Sequence, residues 1–172
     1  EDMKRRVVRS VTKHSIDQDP LRMLRAIRYL CTLEGFVLDP PLREEISQKR
    51  GLVRDLPGER LKMELDHILL SPKPAIGLRS LYESDLLLTL FPDLKGLENL
   101  GQSKHHHLHV LSHTLLIAEK LSWAFEWVSS KAGTLPLAPE DRLVLYYAAL
   151  FHDLGKQDTY SKDGKEKVHF YH

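Results

Sequence analysis

Late in the chain, the run Ala148-Ala149-Leu150-Phe151-His152-Asp153-Leu154-Gly155-Lys156 sets an imidazole beside a carboxylate at the close of an apolar stretch. A second imidazole, His113, stands in an earlier apolar stretch. Two imidazoles and a carboxylate presented by two helices are ligands for one divalent cation. Each His ligates as the neutral ring, and a bound cation lowers the pKa of a coordinated water, supplying hydroxide for attack on a phosphoester. Lys156, three residues after Asp153, is placed to offset phosphate charge. Taken alone, His113 reads as an ordinary hydrogen-bonded core residue. The tract His105-His106-His107-Leu108-His109 reads as a solvated loop or helix start.

A second cluster lies near the start. Residues 4–28 hold eight Lys/Arg and two acids within a chain whose formal net charge is only +1. A local basic patch of this kind suits a nucleotide or nucleic-acid contact. Within it, Asp19 and Arg22 are three residues apart. Adenine and cytosine present an amino donor beside a ring-nitrogen acceptor, whereas guanine and uracil present a carbonyl beside an N–H. A carboxylate only accepts and a guanidinium only donates, so an Asp/Arg pair on one helical turn matches A and C and mismatches G and U. Asp19 also reads as an N-cap, and Arg22, Arg25 and Arg28 as a solvated face.

The elements that must position these groups are nearly all helical. Asp19-Pro20 opens a helix striped by Leu21, Leu24, Ile27, Leu30 and Cys31 and ending at Gly35. Asp39-Pro40 opens another that ends at Gly51, and Ser71-Pro72 is a further start signal. Leu61, Leu65, Ile68 and Leu69 form a stripe between them, and 85–91 gives a short helix stopped by Pro92. The polar, Gly-containing segment 93–106 marks a module boundary. A long helix over 108–130 follows, striped by Val110, Thr114, Ile117, Leu121, Ala124 and Val128, with His113 at the stripe's edge. A second, over 139–154, turns Leu143, Tyr147, Leu150 and Leu154 to one side. Residues 161–165 read as a turn, and Val168-His169-Phe170 as extended.

The fold class is therefore all-α: a helical module over 1–95 followed by a second helical module over 96–172. The chain's 172 residues, 42% of them apolar, are enough for one domain or two small ones. No apolar run of about 18 residues is present to span a bilayer. Cys31, the single cysteine, makes no internal disulfide and suits a buried thiol in a reducing cytoplasm. The chain starts in charged sequence and stops at His172 without a tail signal, and it reads as a piece of a larger protein.

Two separated stretches resemble known families. His113-Thr114-Leu115, Phe151-His152-Asp153-Leu154-Gly155-Lys156 and His169-Phe170-Tyr171-His172 resemble the HD phosphohydrolase domain. Asp19 to Tyr29 and Glu59-Arg60-Leu61-Lys62-Met63-Glu64-Leu65 resemble the neck of bacterial tRNA nucleotidyltransferases and poly(A) polymerases, and Leu78 to Leu94 is similar to the body helices that follow it. The resemblance implies that His113, His152 and Asp153 are three of four HD metal ligands, the fourth lying beyond His172. It places His172 where HD domains often hold another active-site His. It assigns base choice to Asp19 and Arg22, with Arg25 beside them, and leaves Lys4, Arg5, Arg6 and Arg28 for RNA phosphates. Glu59, Arg60 and Glu64 brace the neck by ion pairs. Gln18 departs from the family's usual Glu.

The family's catalytic head, with its Gly-Gly-x-Val-Arg-Asp signature and metal-holding Asp-x-Asp pair, is not among these residues. The implied activity is CCA or A addition to RNA 3′ ends. Its implied substrates are ATP, CTP and an RNA acceptor, a tRNA 3′ end, with Mg²⁺ in the head and a divalent metal at the HD site. Two alternatives stand beside it: a free-standing HD phosphohydrolase acting on nucleotides or cyclic phosphate ends, and a non-catalytic RNA-binding helical module.

Overall fold

The structure, a computed structural model, describes residues 1–98, 100, 109–131, 137–162 and 168–170. His172 and the His105-His106-His107 tract lie outside the described residues. The chain divides into two compact units, Glu1–Leu90 and Phe91–His172. The division falls a few residues ahead of the polar segment that marks it in the sequence. Leu94 and Leu97 are fully buried, and the Phe91 ring packs edge-on against Phe151 at 5.1 Å, so this stretch belongs to the second core.

The first unit runs α1 (Asp2–Arg5), β1 (Val7–Val8), α2 (Ser15–Gln18), α3 (Arg22–Thr32), β2 (Val37–Leu38), α4 (Pro40–Lys49), a 3-10 stretch (Arg50–Asp55), α5 (Gly58–Leu69), α6 (Pro74–Glu83) and α7 (Leu86–Leu90). Its centre is α3, whose Met23, Leu24, Ile27, Leu30 and Cys31 recur at helical spacing and are all buried. They pack on Leu65, Ile68 and Leu69 of α5 and Leu78 and Leu81 of α6. Gly77 sets how closely α6 approaches: a Cβ there would stand 2.3 Å from Ile68 Cγ2 and 2.7 Å from Cys31 Sγ. Cys31 donates to the Ile27 carbonyl at 3.2 Å, and burial pushes its thiol pKa up to about 11.

Several boundaries differ from the sequence pattern. Asp19-Pro20 does not start α3 directly. Arg22 N–H donates to Asp19 O and Met23 N–H to Pro20 O, bonds of a tighter turn that precedes the helix. The chain leaves α3 through extended Leu33 and turns at Gly35, whose φ of 72° is in the left-handed region. Helix α4 gives way to the 3-10 stretch at Arg50 rather than ending at Gly51. Ser71-Pro72 lies in the turn after α5, where the Ser71 hydroxyl donates to Ile68 O at 2.6 Å, and the next helix opens at Pro74. Two-residue strands β1 and β2 pair in parallel across α3, matching Val7 with Val37 and Val8 with Leu38. They are too short to leave a period in the sequence.

The second unit runs from a 3-10 stretch (Pro92–Leu97) through α8 (Val110–Lys131), α9 (Pro139–Phe151), α10 (Lys156–Thr159), β3 (Tyr160–Lys162) and β4 (Val168–Phe170), the strands pairing antiparallel. The α8/α9 contacts run in opposite directions: Phe125 meets Tyr146 edge-on at 5.6 Å, Ser122 Oγ bonds Tyr146 Oη at 2.8 Å, and His113 meets His152. On α8 the buried row is Val110, Leu111, Thr114 and Ala118, while Val128 is exposed. On α9 it is Tyr146, Ala149 and Leu150, a small rotation from the expected row, and the helix ends at Phe151 rather than 154. Among the described residues no helix is long and apolar enough to cross a membrane.

Candidate functional site

The rotation of α9 decides the geometry of the His/Asp pair. With Ala149 and Leu150 facing the core, Phe151 closes the helix and His152-Asp153 falls in the first turn beyond it. His152 keeps helical dihedrals (φ −58°, ψ −27°) and donates its N–H to the Ala148 carbonyl, and the chain then tightens, Leu154 N–H donating to Phe151 O and Lys156 N–H to Asp153 O. His152 is partly exposed and Asp153 buried. Ligand atoms of His113, His152 and Asp153 all lie within 4.8 Å of one another, the single such group among the described residues. The two imidazole rings meet at 6.2 Å between centroids.

The hydrogen bonds set the chemistry of this cluster. His152 Nδ1 is 2.9 Å from the Ala149 carbonyl, which only accepts, so Nδ1 carries the proton. Nε2 of the neutral ring is then an acceptor, yet it faces Asp153 Oδ2 at 3.2 Å. Two acceptors face each other stably only with a positive charge between or beside them: a second imidazole proton or a metal cation. A backbone carbonyl fixing the tautomer of a ligating His is the usual support of a metal site. Lys156 Nζ sits 2.8 Å from the same Asp153 oxygen and supplies further positive charge. The donor set fits a divalent cation. Two ligands at 2.0–2.2 Å from one cation stand at most about 4.4 Å apart, so the widest separation here closes by a few tenths of an ångström.

In the first unit, α3 carries its polar residues on the face turned away from the core. Asp19, in the turn ahead of α3 rather than at its N-cap, accepts from the Leu21 N–H at 3.3 Å and also lies 3.5 Å from both Arg25 and Arg60. Arg22 donates to the Ser15 carbonyl at 2.9 Å. No carboxylate partners Arg22 among the described residues. Arg25 Nε donates to Glu64 Oε1 at 3.0 Å, and this bond is the main reason its pKa is raised. Arg28 lies 3.2 Å from Glu64 Oε2 and over the Tyr29 ring.

A cavity of about 510 Å³ opens beside α3, lined by Arg9, Gln18, Arg22, Arg25 and Tyr29 among others. Of the residues singled out from the sequence, Arg22 and Arg25 reach this cavity, while Asp19 and Arg28 are not on its wall. Lys4 is exposed, Arg5 pairs with Glu1 at 3.2 Å, and the Arg6 guanidinium lies over Gly35. Arg9 and Tyr29 were not legible as cavity residues, because the parallel pairing of β1 that brings Arg9 there leaves no sequence signal.

Comparison with known proteins follows the same division. Residues 35–97 match the family described as the probable RNA and SrmB-binding site of polymerase A, and residues 104–172 match the HD domain. An A-adding tRNA nucleotidyltransferase of Deinococcus radiodurans is 33% identical over 98% of this chain and 38% of its own length. A CC-adding tRNA nucleotidyltransferase of Thermus thermophilus is 38% identical over 92% of this chain and 35% of its own. Among solved structures, a CCA-adding enzyme with ATP superposes with a TM-score of 0.51 at 19% identity, covering 87% of this chain and 48% of that one. The same enzyme type with CTP gives 0.51 at 23%, covering 92% and 42%. These likenesses show the fold. The chain spans a little over a third of the curated relatives it matches, and over that span, with its polymerase-type RNA-binding segment followed by an HD domain, it is similar to tRNA nucleotidyltransferases.

Proposed function

We propose that the chain is the neck, body and HD portion of a template-independent nucleotidyltransferase that adds CCA or A to RNA 3′ ends, most plainly those of tRNA. The observation that carries the reading is the polar group at the entry to α3. The acceptor Asp19 stands in the turn ahead of the helix and the carboxylate-free donor Arg22 opens it three residues later, with Arg22 and Arg25 on a cavity of nucleotide size. Relatives named for A addition and CC addition flank the same chemistry. In this reading Asp19 accepts from the amino group of adenine or cytosine and Arg22 donates to the neighbouring ring nitrogen. Arg25, with Lys4, Arg5, Arg6 and Arg28, meets phosphates of the nucleotide and RNA. The substrates are ATP, CTP and the RNA end, and Mg²⁺ belongs to a catalytic head outside residues 1–172.

The HD cluster is a second site. His113, His152 and Asp153 would hold one divalent cation, which supplies Lewis acidity toward a phosphoester. Lys156 is placed to bind the phosphate, and His172 is assigned to the same site by its position in the motif. The cluster is the observation that favours hydrolysis of a nucleotide or cyclic phosphate end as an accompanying activity.

The test of the main reading is base choice by the full-length protein. Asp19→Ala should lower discrimination of ATP and CTP against GTP and UTP by about tenfold or more, a bidentate base contact being worth roughly 1–3 kcal/mol. A loss of stability of about 0.5–2 kcal/mol with base choice intact would leave Asp19 a brace of the turn ahead of α3 and nothing more.

A further inference from the structure

Glu64 is the one glutamate among the buried residues of the first unit, 2% exposed, and the reaction as described makes no use of it. It stands on α5 and faces two guanidinium groups from successive turns of α3: Arg25 Nε donates to Oε1 at 3.0 Å, while Arg28 lies 3.2 Å from Oε2 as an ion pair without hydrogen-bond geometry. A buried carboxylate is tolerable only with such partners. Arg25 is thereby shared. Its Nε is committed to Glu64, while its NH1 stands 3.5 Å from Asp19 Oδ2, beyond the usual 2.7–3.2 Å of a formed hydrogen bond. Arg60 stands at the same 3.5 Å from the other Asp19 oxygen. Asp19 Oδ1 also accepts from the Leu21 N–H at 3.3 Å, so Asp19 is flanked by two cations and closed by neither, and Oδ2 keeps a lone pair for a further donor.

We propose that Glu64 is a positioning residue for base selection: it holds Arg25 back from Asp19 and so keeps the Asp19 carboxylate open to a nucleobase amino group. The role rests on the reading of Asp19 as the base acceptor. A guanidinium relieved of one carboxylate turns to the nearest other one, and planar Arg–carboxylate pairs close in bidentate form. Without the charge of Glu64, Arg25 closes on Asp19 and occupies the atoms that would read the base.

The experiment measures incorporation of ATP, CTP, GTP and UTP into tRNA by the full-length protein and its Asp19→Ala, Glu64→Gln, Glu64→Asp and Asp19→Ala/Glu64→Gln variants, with melting temperatures recorded in parallel. Glu64→Gln should lower discrimination against GTP and UTP about tenfold, since small misplacements of a contact group cost on that order. The double variant should discriminate no worse than Asp19→Ala alone, because both changes remove the same contact. Glu64→Asp, which keeps the charge, should retain most of the discrimination even though its melting temperature also falls. If Glu64→Gln does not fold, Arg28→Gln/Glu64→Gln, which removes one of the two cations left unpaired, takes its place. A lower melting temperature with discrimination intact in these variants, while Asp19→Ala relaxes it, overturns the positioning role. Unchanged discrimination in Asp19→Ala overturns the base-acceptor reading itself, and the positioning role with it.

Discussion

At the scale of single residues, the second unit turns on one proton. The Ala149 carbonyl fixes Nδ1 of His152 as a donor, so Nε2 confronts Asp153 across 3.2 Å with His113 alongside. An imidazolium would satisfy this arrangement without His113, whereas a cation needs all three side chains. Titration of the purified protein with Zn²⁺ or Mn²⁺ by calorimetry should give one site, and His113→Ala or Asp153→Asn should weaken it by at least about 100-fold, above the 10–100-fold typical of supporting residues. Saturating metal should also raise the melting temperature of the parent and not of the variants, as binding to the folded state alone requires. No metal uptake by the parent, or uptake indifferent to His113, would leave the His152–Asp153 pair an ordinary ion pair. The same scale separates Asp17-Gln18-Asp19 from the metal-holding carboxylate pair whose spacing it shares. Asp17 binds Lys49 at 2.7 Å, which lowers its pKa, and Asp19 is held among Leu21, Arg25 and Arg60. Neither is directed at a common ion.

At the scale of elements, the close crossing of α6 over α3 and α5 depends on the missing side chain of Gly77. Ala is favoured over Gly in a helix by about 1 kcal/mol. Against that, a methyl group at 2.3 Å from Ile68 Cγ2 and 2.7 Å from Cys31 Sγ must push apart two fully buried neighbours, and overpacking costs typically 1–3 kcal/mol. Gly77→Ala should therefore be net destabilising by up to about 2 kcal/mol in urea unfolding, and an increase in stability would show that the crossing yields freely. The helices themselves were legible because their apolar residues repeat over three or more turns: α3 and α5 bury nearly the residues their stripes name. The row on α9 was misread by one step, since Leu143, Val144, Leu145, Tyr146 and Tyr147 are consecutive apolar residues and offer no single face. Strands β1 and β2 were illegible because two residues carry no alternation. His152 and Asp153 were legible as a pair because they are adjacent in the sequence, whereas His113, in an apolar stripe that reads as core, joined them only through the resemblance to the HD domain. The link from Arg25 to Glu64, 39 residues apart, was not, because ion pairing across helices depends on packing that no local pattern encodes.

At the scale of the whole chain, two units with separate cores are proposed to carry two chemistries, and in that reading the groups that activate an RNA 3′-hydroxyl lie outside both. The Gly-Gly-x-Val-Arg-Asp signature does not occur in residues 1–172. The metal-capable cluster found among the described residues has two histidines and one carboxylate, and the reading proposed above places the paired aspartates of nucleotidyl transfer outside residues 1–172. What the first unit does offer is selection and electrostatic attraction: eight Lys/Arg against two acids over residues 4–28, with Arg22 free of any carboxylate among the described residues. Binding and chemistry should therefore come apart. Purified residues 1–172, given tRNA, Mg²⁺ and labelled ATP, should incorporate nothing above background. The same preparation should retain tRNA on a filter at low salt and lose it as salt rises, since each phosphate neutralised contributes a slope near −0.7 to −0.9 in log affinity against log salt. Lys4→Ala together with Arg6→Ala, both assigned to phosphates, should flatten that slope by nearly two. Labelled product from this fragment would place a nucleotidyl-transfer centre within the two units and overturn the division of labour. Salt-independent retention would instead mean that the basic face of the first unit is not what meets RNA.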